Sequence, residues 1–113
     1  MLRRLIDAIF IAAMLAFQPA HASEIDDVFN QIGFTKTNRG VGRTIYAAYE
    51  RPMTLLDCNR FIQTLATEYG QAPVNIVETN TTRVVRFRNI ERGSVLFTCN
   101  GQDIIAHLSK NPG

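Results

Sequence analysis

The sequence contains no tryptophan, only two cysteines and only two histidines in 113 residues. Each shortage removes a class of chemistry. Two cysteines cannot build a four-cysteine zinc site, and Cys58 and Cys99 lie too far apart for a Cys-x-x-Cys redox motif. One histidine, His21, lies in the first 22 residues and leaves His107 alone in the rest. A single histidine beside scattered acids gives no metal-ligand pattern, so neither a metal nor a cofactor is expected. A strong excess of either charge is also missing. Without Arg3, Arg4 and Asp7 the twelve bases become ten and the ten acids nine. A nearly neutral chain makes no bulk electrostatic case for nucleic acid.

What is present begins with an export signal. Met1-Leu2-Arg3-Arg4 is basic, residues 8–17 (AIFIAAMLAF) are apolar, and Gln18-Pro19 leads into Ala20-His21-Ala22. A charged start, a short apolar run and a small-x-small triplet are the order of a secretory leader, despite Asp7 at the front of the run. The run falls well short of the roughly 20 residues that span a bilayer. Cleavage is expected after Ala22, with no membrane anchor remaining. A periplasmic or secreted domain, Ser23 to Gly113, follows.

A domain of this size is marginal without a covalent staple. Cys58 and Cys99 in an oxidising compartment are expected to supply it as a disulfide.

Ile25, Val28, Phe29 and Ile32 recur at helical spacing after a capping Ser23, and Gly33 can end that helix. Asn38 to Gly42 reads as a loop; its Gly-x-Gly precedes no helix and so is no phosphate cradle. Arg43 to Glu50 alternates as a strand, and Arg51-Pro52 is expected to break it. Thr54 to Asp57 resembles a capping box, followed by an apolar face of Leu55, Cys58, Ile62, Leu65, Ala66 and Tyr69, with Gly70 as the stop.

Val74 to Ser109 reads as a four-stranded antiparallel meander. A two-residue turn at Asn100-Gly101 predicts Phe97 opposite Ile104, Leu96 opposite Ile105 and Val95 opposite Ala106. A turn at Asn80-Thr81 predicts Glu78 opposite Arg83, Val77 opposite Val84 and Ile76 opposite Val85. One sheet face then collects Val74, Ile76, Val85, Phe87, Val95, Phe97, Cys99, Ile104 and Ala106. The main helix can lie on that floor, and Cys99 points at Cys58. The expected class is α+β: a short N-terminal helix, one strand, and a main helix packed on a β-meander with a helix-to-sheet disulfide.

The opposite face collects Val77, Val84, Arg86, Arg88, Leu96, Thr98, Ile105 and His107. Aliphatics beside arginines mark surfaces that bind other proteins, although β-branched residues also occur on wet sheet faces for propensity alone. Arg83, Arg86, Arg88 and Arg92 are the densest basic cluster; Glu78 is expected to offset Arg83, and Glu91 to offset Arg92.

Catalytic signals are few. Ser94 is predicted opposite His107, with Asp103 further along the same face, but no oxyanion-hole motif accompanies them. Asn80-Thr81-Thr82 fits the N-glycosylation pattern. The leading expectation is an exported, non-enzymatic protein-binding module, such as an inhibitor, immunity factor or accessory subunit of the cell envelope. Its surface would be Val84, Arg86, Arg88, Leu96 and Ile105. The alternatives are a small-ligand-binding protein or small hydrolase with a site near His107, and a homodimer joined through the same face.

Overall fold

A computed structural model describes residues 22–89 and 93–111. Apart from Ala22, the expected leader lies outside the described residues, as do Glu91 and Arg92. The order is α1 (Ala22–Gln31), β1 (Thr35–Thr37), β2 (Ile45–Pro52), α2 (Leu55–Tyr69), β3 (Val74–Glu78), β4 (Arg83–Asn89), β5 (Gly93–Cys99) and β6 (Asp103–Ser109). The strands form one antiparallel sheet in the order β1-β2-β6-β5-β4-β3. The α+β class and the helix-to-sheet disulfide stand. The sheet is larger than the sequence suggested, because Thr35–Thr37 adds a strand and the first long strand joins the meander through β6.

α2 forms because its ends are closed locally. Thr54 sits in extended geometry and its hydroxyl accepts from the Asp57 backbone N–H at 3.1 Å. Gly70, at φ 70°, turns left-handed and returns its N–H to Ala66. Between them Cys58, Phe61, Ile62 and Leu65 are buried. Phe61 belongs to the buried face although the sequence reading omitted it.

Cys58 and Cys99 are both fully buried and bonded to one another. Around them runs a row of rings. Tyr49 stacks on Phe29 at 4.0 Å, Phe29 meets Phe34, and Phe34 meets Phe61. Phe61 meets Phe97, Phe97 meets Phe87, and Phe87 stacks on Tyr69. Ring pairs at such separations add about 0.5–1.5 kcal/mol each beyond their buried area. The row ties both helices to the same sheet face. α1 therefore packs beside α2, over β2, and the Tyr49 hydroxyl donates to Asp26 on α1.

Three register expectations are corrected. Phe97 faces Ala106, Leu96 faces His107 and Val95 faces Leu108, while Ile104 faces Cys99. Asn100 is not a central turn residue. Its Oδ1 accepts from the backbone N–H groups of Gln102 and Asp103, an Asx turn that moves the hairpin centre to Gly101-Gln102. Gly101 takes φ 91° at the first central position, as a type II′ turn requires. Because the slip is two residues, every side chain keeps its face.

At the other hairpin, Glu78–Arg83 and Val77–Val84 pair as expected, but a bulge places Asn75 opposite Val85 and Val74 opposite Arg86. Val74 and Ile76 therefore leave the apolar floor and are 39% and 46% exposed. On β2, Arg51 and Pro52 continue the strand, since Pro52 is its last residue and needs no further ladder bond. A second bulge, between Ile45 and Ala47, turns Ile45 to the face opposite Ala47 and Tyr49.

Two measurements test this account. The bridged residues are separated by 41 positions, so replacing both cysteines with alanine should cost about 4 kcal/mol in denaturant unfolding. A loss under about 1 kcal/mol would mean the bridge adds little constraint. Burial also pushes the Tyr46 phenol up from 10.0 to about 12. The unfolded chain then gives up that proton first. Stability should hold below pH 10 and fall as pH rises from 10 to 12, read by alkaline unfolding against Tyr46→Phe.

Candidate functional site

With both helices on one side, the other face of the sheet must be closed by other means or left open. The register lays out its rows. One row runs Thr35, Glu50, Ile105, Thr98, Val84, Val77. The next runs Thr37, Ala48, His107, Leu96, Arg86, Val74, and a third holds Ile45, Ser109, Ser94 and Arg88.

The β2–β6 half of this face is covered by the chain itself. The segment between β1 and β2 folds over it. Arg39 bridges Asp103 at 3.0 Å and Glu50 at 3.3 Å. These carboxylates, Asp103 foremost, hold the Arg39 guanidinium above its ordinary pKa. The Arg39 carbonyl accepts from His107 Nε2 at 2.8 Å, so Nε2 carries the proton. Gly40 lies so close that a Cβ there would stand 2.6 Å from His107 Nε2. At the far end, Ser94 Oγ donates to the Asn111 carbonyl at 2.6 Å, and the Asn111 N–H donates to Ser109 Oγ.

These contacts decide what the named residues can do. Ile105 is 6% exposed, so a partner cannot reach it while the loop is in place. Ser94 faces Ser109 rather than His107, which corrects the expected pairing. Asp103 is held by Arg39 and Asn100, His107 by Arg39 and Ser94 by Asn111. The structure does not bring Ser94, His107 and Asp103 into one hydrogen-bonded unit. Among the described residues, no three His, Cys, Asp or Glu converge on a metal-sized site.

The β3–β4 half is open. Val84, Arg86 and Leu96 are half-buried, Arg88 is exposed, and Val74 and Val77 are each 39% exposed. Arg86 and Arg88 make no side-chain hydrogen bond or ion pair to any described residue, and Arg86 Nε is enclosed without a partner. Arg83 lies on the helix side and donates to Asn59 and Asn75, so it is separate from this pair. Arg88 is positioned by an unanticipated clasp. The Gln71 side chain accepts from the Arg88 N–H at 2.8 Å and donates to its carbonyl at 3.0 Å. The Tyr69 hydroxyl donates to that same carbonyl. An amide side chain thus stands where β3 has no residue left to pair. No spacing in the sequence announces such a clasp.

Asn80 is exposed in the β3–β4 turn, where Thr79 Oγ1 accepts from the Thr81 and Thr82 N–H groups. Among the described residues, no helix is long and apolar enough to cross a membrane. Comparison of the chain with protein-family models, curated proteins and solved structures finds no match.

Gly40 offers a direct test of the covering loop. It has φ +78° and no room for a Cβ against His107. Gly40→Ala should cost about 1–3 kcal/mol in denaturant unfolding. An unchanged midpoint would mean that the loop is not held against the sheet.

Proposed function

We propose that this chain is an exported, non-enzymatic protein-binding module whose contact surface is the open β3–β4 half of the outer sheet face. The observation that carries the reading is the division of that face. One half is closed by a loop and a tail, while the other presents aliphatics around Arg86 and Arg88, which form no ion pair with any described residue. Aliphatic surface rimmed by unpaired guanidinium groups suits a protein partner that brings carboxylates.

The surface is Val74, Val77, Val84, Arg86, Arg88 and Leu96. It keeps four of the five residues expected from the sequence and replaces the covered Ile105. Export rests on the leader read in residues 1–22. The buried disulfide is compatible with an oxidising compartment. Inhibitors, immunity factors and accessory subunits of envelope assemblies are proteins of this kind. A small-ligand or hydrolase site at His107 has less support, because the Arg39 carbonyl and Gly40 occupy the space at the ring.

The test is affinity capture of the tagged protein from its native envelope, beside Arg86→Glu/Arg88→Glu. The expected result is one stoichiometric partner whose recovery by the variant falls at least about tenfold. A partner retained by the variant discards this surface. No partner discards the binding reading.

A further inference from the structure

The two edges of the sheet differ. β1 is three residues long and carries Lys36, features that discourage pairing with another chain. β3 is five residues long, has no lysine, and is exposed throughout, including Val74, Ile76 and Val77. α2 packs over β5 and β6 and does not shield this edge.

The backbone of β3 is arranged symmetrically at that edge. The Thr79 N–H donates to the Thr82 carbonyl at 2.8 Å, so the backbone of Thr79 turns inward, toward the β4 side. Alternation then turns the N–H and C=O of Glu78, opposite Arg83, toward the open side. The bulge sets Ile76 and Val77 against Val84 and restores pairing at Asn75, opposite Val85. By the same alternation Asn75 also turns its backbone groups outward. The outward groups thus lie at 75 and 78, equally spaced about a centre between 76 and 77.

We infer that β3 pairs antiparallel with β3 of a second copy of this chain, Asn75 facing Glu78 of the other copy and Ile76 facing its Val77. That register satisfies four backbone hydrogen bonds and joins two aliphatic strips. Charge favours it as well. Glu78 is exposed and has no partner among the described residues, because Arg83 turns from it toward Asn59 and Asn75. Arg83 reaches Asn75 Oδ1 at 3.2 Å. In the paired register, Glu78 of the second copy comes beside that Asn75–Arg83 pair, and the two-fold axis makes the contact twice. The axis stands perpendicular to the sheet, so the helices of both copies stay on one side and the open outer surfaces run together on the other. The blunt β1 edges end the assembly at two copies. This inference concerns the strand edge and does not depend on the protein-binding reading of the face.

Analytical ultracentrifugation of the purified protein over a concentration series, joined to amide hydrogen exchange, decides it. The expected result is a monomer–dimer equilibrium in which the Asn75 and Glu78 amides gain protection as concentration rises. Glu78→Arg should raise the dissociation constant by roughly tenfold or more, since it sets two guanidinium groups together at each contact. Glu78 is exposed, and an unchanged monomer spectrum will show that the variant folds. A protein that stays monomeric up to about 1 mM overturns the inference. A dimer whose Asn75 and Glu78 amides exchange as in the monomer overturns it too, because another surface then joins the copies.

Discussion

The contact between α2 and the sheet, closed by Cys58 and Cys99, governs the rest of the architecture. A domain this small cannot cover both faces of a six-stranded sheet with two helices. The rings that run from Tyr49 through Phe29, Phe34, Phe61, Phe97 and Phe87 to Tyr69 commit both helices to the side that holds the disulfide. Phe34 matters most in that row, because it links α1 to Phe61 on α2. Once the helices are placed, everything on the other face must be satisfied by loops, by the tail, or by something outside the chain.

The class and the facing of β4, β5 and β6 were readable from the sequence because both rest on periodicity, and the staple because Cys58 and Cys99 are the chain's two cysteines. The Asn100 hairpin shows why. The expected turn was misplaced, since Asn100 used its side chain to cap the bend and Gly101 took the positive φ. The slip was even, so Val95, Phe97 and Cys99 stayed on the core side with Ile104 and Ala106. At β3 the slip was odd. One extra residue at Ile76 sent Val74 and Ile76 out of the core, and no pattern in Val74 to Glu78 distinguishes a bulged strand from a regular one.

The candidate surface was legible in part for a different reason. Alternation identified which residues share the outer face but could not say which of them the chain covers. Ile105 and Arg86 read alike as outward positions. They differ because the β1–β2 loop, anchored by Arg39 on Glu50 and Asp103, reaches β6 and stops short of β4. That anchor joins residues far apart in sequence, and only the folded chain reveals it. Thr35–Thr37 escaped notice for a related reason: three residues show little periodicity, and pairing with β2 makes them a strand.

These separate departures meet at one place. The bulge, the Gln71 clasp and the short reach of the loop all act at the β3–β4 end of the sheet. Each leaves that end less covered than the β2–β6 end. The Gln71 side chain satisfies the Arg88 backbone where β3 runs out, so the exposed arm costs no unpaired main-chain group at that position. Exposed aliphatics there are not enforced by the core, since Val74, Ile76 and Val77 belong neither to the buried cluster nor to the side chains packed against it. Strand propensity accounts for β-branched side chains at Val74, Ile76 and Val77, and their gathering at one uncovered end of the sheet is what the proposed contact surface rests on.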